Sequence, residues 1–180
     1  GKSEEQPLYT MQDAVETCRL FQKVRYDEPF QPAGDVRVVM RDAGHILGSA
    51  VLEIFVTEDG AERKIVFSGD LGNKGIPIMR DPTIIDGADW LVLESTYGDR
   101  LHNHGRDPVD RIVTIINETM ARGGDVIIPS FAVGRTQEII YALNKEEERF
   151  KDRRSAFMQA QVYVDSPLAV SATRVFRNNT

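Results

Sequence analysis

The segment DAGHILGSA, at residues 42–50, decides how this sequence is interpreted, together with FSGDLG at residues 67–72. Each segment carries a strong metal ligand, His45 or Asp70, between glycines and directly after a predicted strand, 36–40 or 63–67. Flanking glycines let the backbone turn sharply and leave the ligand uncovered. A neutral imidazole and a carboxylate suit zinc. A plain loop histidine and a Gly-Asp-Leu-Gly turn fit the same residues, so spacing alone leaves both interpretations open.

The chain around these segments has a β pattern. Alternating or apolar runs at 36–40, 51–56 and 64–67 predict three strands, and the turn signal at 58–60 joins the last two as a hairpin. Consecutive antiparallel strands place their loops at one edge of a sheet, so we expect His45 and Asp70 to meet there. Upstream, a capping box at Thr10 and Asp13 predicts a helix with one buried stripe. Two prolines predict a loop over 26–34.

The second half of the chain alternates strands and helices. We predict strands at 90–93, 126–128 and 162–164, and helices from an N-cap at Asp107 to about Arg122 and over 136–150. Such alternation predicts a right-handed parallel βαβαβ arrangement. The fold class is therefore mixed α/β, with antiparallel β structure first.

Functional groups collect at the carboxyl ends of strands in such sheets. Glu94 ends an apolar strand, where a carboxylate is costly unless it is ligating or hydrogen-bonded, and both remain open. The loop from Ser130 through Gly134 to Arg135 offers helix N–H groups and a guanidinium to a phosphate. A structural turn with Arg135 on the surface is the alternative. Ser166 follows the last predicted strand.

Composition bounds the class of protein. The 180 residues carry a net charge of −6 with a pI near 5.1, which argues against a generic nucleic-acid-binding domain but not against a nuclease. The single cysteine, Cys18, permits no internal disulfide and favours an intracellular, cytoplasmic protein. Apolar runs are short, so we expect no membrane span and no signal peptide. We reject His102 and His104 as a metal site because no strand leads into them.

Five segments in order resemble the RNA-processing nucleases of the metallo-β-lactamase fold known as the β-CASP group. The resemblance implies a partial αβ/βα sandwich over residues 1–157 and the start of a β-CASP domain over 158–180. It implies two zinc ions in the full-length protein, with His45 and Asp70 as ligands, Asp70 bridging the metals, and Glu94 as an active-site acid. The segments are DAGHILGSA, FSGDLG, ESTYGDR, PSFAVGRTQE and VDSPLA.

The sequence departs from the family pattern in two respects. The family has two further active-site histidines beyond the VDSPLA segment, and these 180 residues do not contain them. The motif His-x-His-x-Asp-His, which lies upstream of DAGHILGSA in the family, is absent, and the chain resembles the middle of such an enzyme. We therefore expect a zinc-dependent ribonuclease only in the full-length protein. Asp70 and Glu94 are its predicted catalytic residues, and the predicted RNA-binding residues are Ser130, Gly134, Arg135 and Ser166.

Two other classes of function remain open at this point. One is a metal-free scaffold subunit, and the other is a DNA nuclease or another hydrolase on the same fold. We also expect an exposed apolar strand edge, and from it self-association as a homodimer.

Overall fold

The structure is a computed structural model that describes residues 7–101, 108–149 and 156–179. It confirms the mixed α/β class: a five-stranded sheet fills the first half, and helices dominate the second. None of the helices in these ranges is long and apolar enough to cross a membrane. The elements are α1 (Met11–Arg19), β1 (Phe30–Ala33), β2 (Val36–Asp42), β3 (Ala50–Glu58), β4 (Ala61–Phe67), β5 (Trp90–Val92), α2 (Pro108–Ala121), α3 (Arg135–Arg149), a 3₁₀ turn (Ala156–Gln159) and α4 (Pro167–Arg177).

The sheet has the strand order β1-β2-β3-β4-β5. Its first four strands are antiparallel, which confirms the prediction for β2, β3 and β4, and β5 runs parallel to β4. Glu58 pairs with Ala61, so Asp59 and Gly60 form a two-residue turn. Both turn residues have positive φ, 49° and 77°, which matches the hairpin turn whose twist suits paired strands. The predicted hairpin is therefore confirmed.

The prediction of a loop over 26–34 is wrong in part. Phe30–Ala33 forms β1 at the edge of the sheet and pairs with β2. Pro32 is tolerated there because an edge strand can turn the missing N–H position toward solvent. The register shifts between Phe30 and Ala33, which is the irregularity that proline imposes on a short ladder.

Two predicted strands do not join the sheet. Within the described residues, 126–128 and 162–164 have no paired strand on either side, so the parallel pairing is limited to β4 and β5. Ile127 and Tyr163 are 88% and 80% exposed. An apolar run becomes a strand only where a partner edge is available, and sequence periodicity does not report that partner.

The two long helices of the second half agree with prediction to within two residues at each described end. Their apolar faces share a cluster built on Val113, Ile116, Leu143 and Phe157. The predicted N-cap of α2, Asp107, lies outside the described residues, as do His102 and His104. The domain boundary at residue 157 stays a prediction.

The first helix is correctly placed but its predicted buried stripe is wrong. Thr10 caps α1, and the Thr10–Asp13 capping box is complete, yet no residue of the helix is buried. Amphipathic spacing shows that a helix can bury a face, whereas burial needs a facing surface. None of the described residues provides one for Val15 or Met11, which are 44% and 81% exposed.

The sheet has its own small core and one open edge. Ala43, Val51 and Val66 are buried together, with Leu71 and Ile85 packed against them. This cluster lies directly beneath the loops that follow β2 and β4. At the other side, Trp90 in the edge strand β5 is 53% exposed, as expected for an uncovered apolar edge. Self-association through it stays a prediction.

Candidate metal-binding and catalytic site

The loops that carry His45 and Asp70 touch each other through main-chain atoms. The Gly72 N–H donates to the Ala43 carbonyl oxygen at 2.8 Å, and Ala43 is fully buried. A Cβ built on Gly72 would lie 1.7 Å from the Gly44 carbonyl oxygen. Only glycine permits this approach. The prediction that the two loops meet at one edge of the sheet is confirmed.

The shape of the first loop depends on local hydrogen bonds and on Gly44. Gly44 has φ +64°, and its N–H donates to Asp42 Oδ1 at 2.9 Å. Ser49 Oγ accepts from the main-chain N–H groups of His45 and Ile46 at 3.1 and 3.2 Å. Ser49 therefore forms the turn and fixes the main chain at His45 and at the residue after it.

Glu94 holds the second loop. Its Oε1 accepts from the Leu71 N–H at 2.5 Å, and its Oε2 accepts from the Thr96 hydroxyl at 2.8 Å. The Glu94 N–H donates to Ser68 Oγ at 2.9 Å, and Ser68 is buried. The carboxylate thus binds the residue directly after Asp70. The sequence left open whether Glu94 ligates a metal or is hydrogen-bonded, and in the structure it is hydrogen-bonded.

The pKa of Glu94 is lowered from its ordinary value by these contacts. The Leu71 N–H contributes most, the Thr96 hydroxyl comes next, and an electrostatic interaction with His45 also favours the ionised form. The ionised Glu94 carboxylate therefore holds the loop that follows Asp70, at the edge of the sheet where the two loops meet.

The side chains of His45 and Asp70 have atoms available to ligate a metal. Both residues are exposed, and neither side chain makes a hydrogen bond to the described part of the chain. An imidazole and a carboxylate match the donors that zinc takes, so the pair fits part of a metal site. No group of three His, Cys, Asp or Glu side chains arranged for a metal occurs among residues 7–101, 108–149 and 156–179.

The loop before α3 is largely engaged by its own residues. Ser130 Oγ lies 2.8 Å from Thr136 Oγ1, and the Gly134 N–H donates to Gln137 Oε1 at 2.7 Å. Arg135 pairs with Glu138 at 2.7 Å but remains 66% exposed. The predicted N–H site for an anion is therefore filled at Gly134 by the Gln137 side chain, while the guanidinium still faces solvent.

This loop also touches the histidine loop. Gly134 is buried with φ +86°, and a Cβ built on it would lie 3.0 Å from Cγ2 of Ile46. Ile46 is the neighbour of His45. The structure therefore brings the predicted phosphate loop against the predicted metal loop, although the two are nearly ninety positions apart in the sequence.

Comparisons with known proteins place the chain in a family. No protein-family profile matches it. A ribonuclease of Thermus thermophilus is 36% identical over 92% of the chain, which covers 36% of that protein. The RNase J-like protein of Methanocaldococcus jannaschii is 35% identical over 93% of the chain, covering 38% of that protein. Cleavage and polyadenylation specificity factor 73 of Drosophila melanogaster is 28% identical over 97%, covering 24%.

The chain belongs to the β-CASP group of metallo-β-lactamase-fold proteins. This confirms the resemblance carried by the five sequence segments. The chain spans little more than a third of the length of the first two of these relatives.

The sequence interpretation of this β-CASP chain missed Gln137. The side chain is only 3% exposed, and its Nε2 donates to the Ala132 carbonyl oxygen at 3.1 Å and to Thr173 Oγ1 at 3.0 Å. It therefore ties the loop before α3 to helix α4. The available signal was a polar residue three positions after Gly134, where a side chain can reach back to a helix-starting N–H.

Ser166 has a visible structural task. It is the N-cap of α4, and its Oγ accepts from the Ala169 N–H at 3.2 Å. Pro167 follows at the first helical position, as is common after such a cap. A contact between Ser166 and RNA stays a prediction.

Proposed function

We propose that the intact protein is a zinc-dependent ribonuclease that hydrolyses RNA phosphodiester bonds in RNA processing or decay. One observation carries the proposal: the His45 and Asp70 loops are joined at Ala43 and Gly72, with Glu94 bound to the second loop. The names of the relatives, which are ribonucleases or cleavage factors, support RNA as the substrate. The cytoplasm is the proposed location, since a single cysteine suits a reducing compartment.

His45 and Asp70 would hold the zinc through an imidazole nitrogen and a carboxylate. When bound, zinc supplies a hydroxide near neutral pH and offsets charge on the phosphate. The chain contributes orientation: the Ser49 hydroxyl fixes the main chain of His45, and Glu94 fixes the residue after Asp70. Groups that support ligands in this way tune metal affinity.

Glu94 has a second role in the proposal. Each carboxylate oxygen has two lone pairs, and one hydrogen bond to each is seen here. The carboxylate can therefore accept a further N–H from a histidine that the rest of the intact protein supplies, and orient it toward the leaving group. The lowered pKa of Glu94 keeps it ionised for this purpose at neutral pH.

The four proposed RNA-binding residues have two different roles, according to their contacts in the structure. Arg135 and Ser130 are proposed to contact a phosphate, because the guanidinium is exposed and the hydroxyl lies at the loop surface. Gly134 and Ser166 are proposed to act by positioning, since Gly134 packs on Ile46 and Ser166 caps α4. Only Nη1 of Arg135 contacts Glu138, so its other N–H groups could bind a phosphate while that ion pair stays in place.

The 180-residue chain alone is proposed to be catalytically silent. A catalytic zinc usually takes three protein ligands and leaves one position for water. Only two ligands are proposed from the described residues, and two hold zinc too weakly to fix a hydroxide.

The test is cleavage of a labelled RNA by the intact protein with zinc. Asp70→Asn should abolish cleavage, whereas Asp125→Asn, an exposed aspartate away from the loops, should cleave like wild type. DNA of the same sequence is run in parallel. Preferential cleavage of DNA favours the DNA nuclease, and RNA binding without cleavage favours the scaffold subunit. Zinc-dependent cleavage by the 180-residue chain, lost in its own Asp70→Asn form, would overturn the proposed silence.

A further inference from the structure

A cleft opens beside the loop that carries His45. Its volume is about 760 Å³. It is lined by the loop at Ile46, Leu47 and Gly48 and by the segment from Ile78 to Arg80. Val175 of α4 and Asn179, just after that helix, also line it. Because Ile46 follows His45 in the chain, the cleft adjoins the proposed metal site.

The cleft contains two cations and one carboxylate. Lys23 and Arg80 line it, are exposed, and form no ion pair with the described part of the chain. Asp42 also lines it, and its Oδ1 accepts the Gly44 N–H that shapes the loop. The local charge is therefore positive in a chain whose net charge is −6. Such a reversal of sign attracts anions to one place on an acidic protein.

The remaining lining suits a flat apolar group. Ile46, Leu47, Met79 and Val175 contribute aliphatic and thioether surface to the same cleft. Val175 is 55% exposed, so much of this surface is open to contact. A bound molecule that matches both parts carries a negative charge beside an apolar face, which describes a nucleotide.

The backbone at Ile78 is strained. Its φ is +63°, a conformation that a β-branched residue rarely adopts. Met79 and Arg80, which follow this strained residue, line the cleft. The Arg80 carbonyl oxygen lies so close to Gly44 that a Cβ built on Gly44 would be only 2.7 Å from it. Strain of this kind persists where the surroundings enforce it, and it concentrates at binding sites.

We propose that this cleft binds a nucleotide of the RNA strand next to the proposed metal site. Lys23 and Arg80 bind its phosphates, and the surface of Ile46, Leu47 and Met79 receives its base. This inference rests on the proposed ribonuclease function for the identity of the ligand.

The test measures binding of a labelled single-stranded RNA to the intact, metal-free protein, so that no cleavage intervenes. Lys23→Ala and Arg80→Ala should each weaken binding by about 2- to 5-fold. Each should also reduce the slope of log affinity against log salt by about 0.7, the value for one phosphate contact on a single strand. Asn179→Arg adds a cation to the cleft and should steepen the slope.

Matched controls are Lys74→Ala and Arg174→Ala, which remove exposed cations that do not line the cleft. Both should keep the wild-type salt slope. RNA carrying 4-thiouridine should crosslink on irradiation to the peptide that contains Met79 and Arg80. Displacement of the RNA by inorganic phosphate at equal phosphate concentration would reduce the site to an anion site and overturn the nucleotide assignment.

Cleavage measured beside binding separates the two proposals. If wild type cleaves RNA while Lys23→Ala and Arg80→Ala bind with the wild-type slope, the cleft proposal is wrong and the ribonuclease stands. If RNA binding depends on both cations but no zinc-dependent cleavage follows, the cleft stands and the ribonuclease is wrong. Absence of RNA binding by wild type overturns the cleft as well.

Discussion

Replacement of Gly72 by alanine tests the contact between the two ligand loops directly. The new Cβ would lie 1.7 Å from the Gly44 carbonyl oxygen and 2.7 Å from the His45 nitrogen, whereas ordinary contact begins at 3.4 Å. These neighbours are backbone atoms and cannot swing away. The loops would have to separate by at least the shortfall, about 1.7 Å, which is beyond the reach of the Gly72–Ala43 hydrogen bond.

The cost can be worked from two effects. Loss of a buried hydrogen bond that leaves both partners unsatisfied costs about 1–3 kcal/mol. Displacement of packed backbone costs about 1–3 kcal/mol, and the stiffer unfolded chain of alanine returns about 0.4–1 kcal/mol. We expect a net loss of about 1–5 kcal/mol in the free energy of unfolding. Because the loops carry both ligands, zinc affinity should fall by about 10- to 100-fold.

Urea unfolding and calorimetric zinc titration of the intact protein provide the measurement. Gly75→Ala is the matched control, because Gly75 has φ +72° but nothing within 4 Å of the added Cβ. It introduces backbone strain of about 1–2 kcal/mol without a clash and should leave zinc affinity intact. A Gly72→Ala protein as stable as wild type, with unchanged zinc affinity, would refute the reasoning.

Three further predictions concern stability. Glu94→Gln should lower the free energy of unfolding by about 1–2 kcal/mol. Because the pKa of Glu94 is lowered in the folded protein, this stabilisation is present above the unfolded value near 4.5 and is lost as the pH falls through the folded pKa. The melting temperatures of wild type and variant should therefore converge at acidic pH. Glu53→Gln should cost about 2–4 kcal/mol in urea unfolding, because Lys64 at 2.6 Å and Arg41 then face an uncharged group; a loss below 0.5 kcal/mol contradicts this. Thr10→Ala should raise amide exchange within α1 only, since the helix buries no residue; a lower global melting temperature contradicts this.

The local parts of the fold follow from local sequence. The Asp59–Gly60 hairpin depends on two residues that accept positive φ, and both are recognisable in the sequence. The Thr10–Asp13 box likewise fixes the start of α1 before any tertiary contact forms. In each case the interacting atoms lie within four positions of one another, so sequence reasoning reaches them.

The remaining parts depend on partners that are distant in the chain. Whether 126–128 becomes a strand depends on a neighbouring edge, and whether α1 buries Val15 depends on a facing surface. The site shows the same division. His45 and Asp70 are visible as glycine-flanked ligands, whereas the Gln137 hydrogen bond to Thr173 spans 36 positions and leaves no local pattern.

The bond between Ala43 and Gly72 also bears on how such a protein diverges. It is made by main-chain atoms, so replacement of the surrounding side chains leaves its donor and acceptor in place. A lineage can therefore exchange most of the surface around the metal loops, and with it the molecules that the surface recognises, without disturbing the spacing between the two ligands. For this contact to persist, the sequence needs to keep glycine at position 72.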